Sequence, residues 1–189
     1  SSTYTLSGTN TYTGDTTITT GTLKLIGRLD TATDLIIGSN GTLDLQATQT
    51  FATLDLDGAI SNTAGTSSLV ISGAASMQGT AATTGTQTYS GAVTLTDTTT
   101  ITTSSAKVTF AAAATINSQE GETNNLTINA SEVEFNGAMG GIGVIDINAN
   151  LDLDAAITNA TSIDVSGTSN LGANVTTSGT QTYTGAVTL

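Results

Sequence analysis

Two pairs of carboxylates are the first candidates for chemistry. Asp55 and Asp57 lie in Leu54-Asp-Leu-Asp-Gly-Ala-Ile60, and Asp152 and Asp154 in the similar stretch Leu151-Asp-Leu-Asp-Ala-Ala-Ile157. Oxygen donors two residues apart suit a hard cation such as Ca²⁺, which collects several carboxylates and carbonyls. Residues two apart also share one side of a β-strand, so plain outward positions account for the same spacing. Glu120 and Glu122 sit in an apolar-free run, residues 117–125, that reads as a protruding loop. Loops on a rigid scaffold tend to carry contacts, which makes these two acids candidate binding residues. Tyr12, Tyr89 and Tyr183 share one repeat position, where a ring could stack on a sugar or serve the fold at a corner.

The rest of the composition narrows the chemistry. The 189 residues include no His, Cys, Pro or Trp, and 15 acids face only Lys24, Arg28 and Lys107, for a formal net charge of −12. Without His or Cys there is no imidazole base, no thiolate and no zinc site of the usual type. Three scattered cations cannot neutralise a run of phosphates, so nucleic acid is not an expected partner. A polysaccharide-degrading enzyme would need paired carboxylates across one groove, and nothing in the sequence clusters them with a cation; no enzyme is expected. Gly140-Gly-Ile-Gly-Val-Ile-Asp146 is similar to a calcium-binding Gly-Gly-x-Gly-x-Asp nonapeptide, but its Asp comes one residue late, and a turn is the plainer reading. No bound cofactor is expected beyond the Ca²⁺ that the Asp pairs could hold. No apolar run approaches the length needed to span a bilayer, so membrane insertion is not expected. Ser1-Ser-Thr-Tyr4 lacks the basic and apolar regions of a leader, so a secreted protein would be represented by a mature or internal piece.

These residues must be positioned by something repetitive. Residues 66–95 align without a gap on residues 160–189, with 14 of 30 positions identical. The core of the match is Gly85-Thr-Gln-Thr-Tyr-Ser-Gly-Ala-Val-Thr-Leu95 against Gly179-Thr-Gln-Thr-Tyr-Thr-Gly-Ala-Val-Thr-Leu189. A degenerate copy opens the chain as Gly8-Thr-Asn-Thr-Tyr-Thr-Gly14. The unit is about 95 residues, and residues 1–189 read as one continuous segment of nearly two units, cut from a longer array. Within it, short alternations such as Leu23-Lys-Leu25, Leu43-Asp-Leu45, Val108-Thr-Phe110 and Ile145-Asp-Ile147 have the period of half-buried strands, aliphatics inward and Asp, Lys or Thr outward. Gly or Asn follows most of them. Equivalent strands recur at about 18–20 residues, the length of one coil of a parallel β-solenoid. The expectation is an all-β, single-stranded parallel β-helix of 18–24 residues per coil and eight to ten coils. Ala111 to Ala114 could form a helical turn or a tight corner. The rival antiparallel sandwich needs large inward residues, and aromatics are only 4%.

The opening segment, Leu6-Ser-Gly-Thr-Asn-Thr-Tyr-Thr-Gly-Asp-Thr-Thr-Ile-Thr-Thr-Gly-Thr-Leu23, resembles the passenger-associated repeat of Gram-negative autotransporters. The Gly-Thr-Gln-Thr-Tyr-x-Gly-Ala-Val-Thr-Leu units look like those of filamentous-haemagglutinin-like large exoproteins. The resemblance implies a right-handed β-helix, exported to the extracellular space or the bacterial outer-membrane surface. There it would be a stalk or binding face of an adhesin in cell adhesion, aggregation or biofilm formation. Its implied partners are host-cell or matrix glycans or proteins, or neighbouring copies of itself. The Thr content leaves an ice-binding Thr ladder as an alternative, although Asp-bearing strands interrupt the Thr-x-Thr pairs along the chain.

Overall fold

A computed structural model describes residues 2–189 as a stack of short strands with no helix. Every strand pairing is parallel, and the coils number about ten at about 19 residues each, a β-solenoid as the spacing predicts. Three columns of strands form its faces. The first stacks residues 16–18, 35–37, 54–56, 75–77, 93–95, 116–118, 139–140, 157–160 and 175–177. The second runs through 22–25, 42–45, 59–61, 79–83, 99–103, 126–129, 145–148, 162–165 and 181–183. The third runs through 49–51, 69–71, 87–89, 108–110, 133–135, 151–153, 169–171 and 187–188. Longer strands, such as Val93–Thr103 and Val144–Leu153, cross a corner and serve two faces.

Alternation supplies the core. In Leu54–Leu56 and Leu69–Ile71 the outer two residues are buried and the middle one looks outward. Because strands stack in register, each inward side chain lies on its counterpart one coil away. On the third face this places Tyr89, Phe110 and Phe135 in one column, with successive ring centroids 5.1 Å apart and interplanar angles of 13° and 20°. Stacked rings of this kind contribute beyond their buried area.

The corners must turn the chain in about three residues while a neighbouring backbone lies directly below. Gly91 shows the constraint, since a Cβ there would stand 2.4 Å from the carbonyl group of Gly73 one coil away. Ala111 to Ala114 form a corner and not a helical turn: the amide of Ala114 donates to the Ala111 carbonyl at 2.8 Å, and Ala114 is buried. Residues 119–125 form the expected excursion, shorter at its start because Asn117 and Ser118 continue the strand Ile116–Ser118, and it turns at Gly121 with φ of 84°.

Asp44 departs from the expected outward pattern and is only 5% exposed. The segment after Ser61 folds over it. Its carboxylate accepts from the Thr63 amide at 2.9 Å, the Thr63 hydroxyl at 2.6 Å and Gln46 Nε2 at 2.7 Å. A buried carboxylate needs such donors to offset lost hydration, and here they fasten an irregular excursion to the second face.

Leu56 and Leu153 are fully buried on the first and third faces. Changing either to Asp places an unpaired charge in a core one side chain deep, a change expected to cost several kcal/mol, about 4 or more. Thermal melts followed by circular dichroism should show both variants unfolded or strongly destabilised; wild-type melting in both would refute the inward assignment.

Candidate functional site

The two Asp pairs do not occupy equivalent places. Asp55 stands on the first face between Ile36 and Ser76, whereas Asp152 stands on the third between Glu134 and Asn170. The similarity of the two stretches does not extend to their place in the coil, because the residues between them do not make a whole number of coils. Asp55 is exposed, and Asp57 accepts from Gln78 Nε2 at 2.8 Å at the edge of a shallow concavity that Asp97 shares.

Asp152 and Asp154 acquire a third carboxylate. Glu134 lies one coil away in register with Asp152, and one oxygen from each of the three can be chosen within 4.8 Å of the others. Like charges directly opposed on neighbouring strands repel. Lys107 answers part of that repulsion, with Nζ 2.7 Å from both Glu132 Oε1 and Glu134 Oε2. Asn170 Nδ2 donates to Asp152 Oδ1 at 2.8 Å. Beside them runs an open groove of about 360 Å³ lined by Glu132, Asn150, Asp152, Thr168 and Asn170. The oxygen-rich set has the chemistry of a hard-cation site, but an ammonium and an amide already engage two of its members.

The Lys107 hydrogen bond, with a smaller contribution from Asn136, holds the Glu134 carboxyl below its ordinary range. Hydrogen bonds to Glu132 and Glu134 hold the Lys107 ammonium above its own. Both groups are substantially solvated, so the pair acts in a screened setting.

The remaining candidates are dispersed. Glu120 and Glu122 project from the excursion after Ile116–Ser118, where Asn124 Nδ2 bonds both Glu122 at 2.8 Å and the Leu95 carbonyl at 2.9 Å. Tyr89 is 1% exposed inside the aromatic column and offers no ring face to a sugar. Burial raises its hydroxyl pKa, and the OH donates to Gln87 Oε1 at 2.8 Å. Tyr183 makes the same bond to Gln181 at 3.3 Å while partly exposed, and burial raises its hydroxyl pKa too. Tyr12 is 43% exposed in a segment outside the strands, bonded to the Thr16 hydroxyl at 2.9 Å. One repeat position thus has three environments. Gly140 to Asp146 crosses a corner, with Ile142 buried and Asp146 in register with Thr127 and Asp164.

The sequence alone does not mark Glu134 as a site residue or place Lys107 beside the carboxylates. Glu134 precedes Asp152 by 18 residues, one coil, and that spacing was a usable signal. Lys107 precedes Glu132 by 25, and the extra residues of the excursion hide the stacking. No family model, curated protein or solved structure matches the chain.

The ion pairs predict a pH window. Glu134 is depressed when folded, so its contribution is present above the usual carboxylate value of about 4.3 and fades as pH falls through its lowered value. Lys107 is raised when folded, so its contribution is present below about 10.4 and fades as pH rises through its raised value. Lys107→Gln should remove both flanks. Its melting temperature should fall below the parent's at neutral pH, then recover as acid neutralises the uncompensated carboxylates; parallel Tm–pH curves would refute this account.

Proposed function

We propose that this chain is a surface-exposed structural repeat region, stalk or binding face, of a secreted bacterial adhesin. The observation that carries the reading is the unbroken parallel stack into which the repeats fold, with the passenger-like segment Leu6 to Leu23 at one end. The chain belongs, on this reading, in the extracellular space or at the outer-membrane surface. An acidic rod resists collapse onto an anionic cell surface and holds out whatever it carries. Absence of Cys suits a chain that must stay unfolded during export. Partners are host-cell or matrix glycans or proteins, or neighbouring copies. The reading is non-enzymatic: the most crowded carboxylates are tied to Lys107 and Asn170, which supports a structural role for them.

The excursion bearing Glu120 and Glu122 is the favoured contact point. The step from Ile116 to Leu126 is ten residues, whereas the matching steps from Val93 to Thr99 and Met139 to Ile145 are six. Deleting residues 120–123 therefore removes both acids and restores the spacing of the neighbouring coils. The expected result is a cooperative melt close to the parent's with loss of cell or glycan adhesion. Retained adhesion moves the contact to the flat faces or leaves a spacer, and turnover of any polysaccharide overturns the non-enzymatic reading.

A second reading draws on the second face. Thr3, Thr22, Thr42, Thr80, Thr100, Thr127 and Thr182 fall in one outward column, broken by Ala59, Asp146 and Asp164. Stacking makes this rank more regular than the linear sequence suggests. The rank two residues along mixes Lys24, Asp44, Ser61, Ala82, Thr102 and Asn129, so paired Thr ranks of an ice face do not persist between coils. Thermal hysteresis above that of an inert control protein would favour this reading.

A further inference from the structure

We infer that the repeat advances along the rod by four coils and two faces, so that its second copy presents the same surface rotated by one face. From Leu69 the third face is met again at Gln87, Val108, Val133 and Leu151, four coils on. Two further faces, beginning at Ile157 and Ile163, then complete the step to the residue aligned with Leu69. The faces of Leu69, Ala75, Gln87 and Val93 are third, first, third and first; those of Ile163, Ser169, Gln181 and Val187 are second, third, second and third.

The repeated sequence can change faces because the side-chain bonds its two copies share are local. In the first copy Gln87 Nε2 donates to the Ala81 carbonyl at 3.0 Å and Thr83 Oγ1 at 3.1 Å, and Tyr89 OH donates to Gln87 Oε1. In the second, Gln181 Nε2 donates to the Val175 carbonyl at 3.2 Å and Thr177 Oγ1 at 3.3 Å, and Tyr183 OH donates to Gln181 Oε1. Thr83 and Thr177 donate to the carbonyls of Gly85 and Gly179 at 2.8 and 2.9 Å. The corner after each Tyr is also alike, with Gly91 against Gly73 and Gly185 against Gly167. Each set spans one corner and the strand beyond it, and none of these side-chain bonds requires a particular face.

The inner step is six residues, as from Leu151 to Ile157, Ile163, Ser169, Val175, Gln181 and Val187. Six residues carry the chain across one face, so the faces are interchangeable and length can change by a third of a coil. Tandem copies wind their common surface around the rod, and a partner approaching from any side meets one of them. This inference rests on register and does not depend on the adhesin reading.

The test uses the full chain and a version lacking residues 169–174. Removing one face carries Val175 onto the column of Leu151 and brings Thr188 beside Asp164, the place that Thr182 holds in the full chain. In-register residues on neighbouring strands are about 4.8 Å apart, within the Cα separation a disulfide accepts. With oxidised glutathione as oxidant, a Cys pair at positions 164 and 182 should cross-link in the full chain and fall to background in the shortened one. A pair at 164 and 188 should do the reverse, and both parent chains should melt cooperatively. Removing only residues 172–174 should disorder the last coils, because an odd step turns every following side chain inside out. Failure of the 164/182 pair to close in the full chain overturns the rotation. A shortened chain that does not fold, or that keeps the 164/182 cross-link, overturns the interchangeability of faces.

Discussion

The backbone ladder between coils sets the terms for everything else in this molecule. Parallel hydrogen bonds hold successive coils about 4.8 Å apart on all three faces. At that distance each residue's environment is chiefly the residue one coil above and one coil below. Tyr89 therefore meets Phe110, Gly91 meets Gly73, and Asp146 meets Asp164. A single layer of inward side chains must fill the interior, and a poor fit at one level has few neighbours to absorb it. This is why Leu, Ile and Val dominate the inward positions and why the three Phe residues are all fully buried.

That same dependence explains which features were legible in the chain alone. Leu54-Asp-Leu56 or Val108-Thr-Phe110 declare their inward and outward sides through period two, and the structure agrees. The coil length of about 19 residues was likewise readable, because aliphatic pairs recur at that distance. Asp44 was not, since Leu43-Asp-Leu45 has the same pattern and only the return of Thr63 buries it. The likeness of Asp55 to Asp152 misled for a related reason. Excursions of different length separate the two stretches, and sequence identity carries no count of faces. The Glu134–Lys107 contact was hidden by the same irregular insert.

The buried glutamines follow a rule that composition does not reveal. Gln49 accepts from the Leu29 amide at 2.9 Å and donates to the Leu29 carbonyl at 3.1 Å, while Gln87 serves carbonyls of its own coil and of the next. Such buried amides are tolerated because donors and acceptors are both satisfied. They take over backbone groups at corners, where the regular ladder lapses. Thr does similar work at Thr99, which is buried and donates to the Met77 carbonyl at 3.0 Å. The abundance of Thr thus has an interior component as well as an exterior one.

The direction of the ladder has a mechanical consequence. Its hydrogen bonds run along the rod axis, so tension applied at the two ends of the stack pulls each coil directly away from its neighbour. The bonds of a coil then open in sequence, as in peeling, and do not all resist together as in shear. A released coil of about 19 residues can pay out on the order of 60 Å of extended chain, replacing one spacing of about 4.8 Å. Under load the molecule would lengthen in many small steps of similar size, spreading an impulse over distance while coils not yet opened keep their fold.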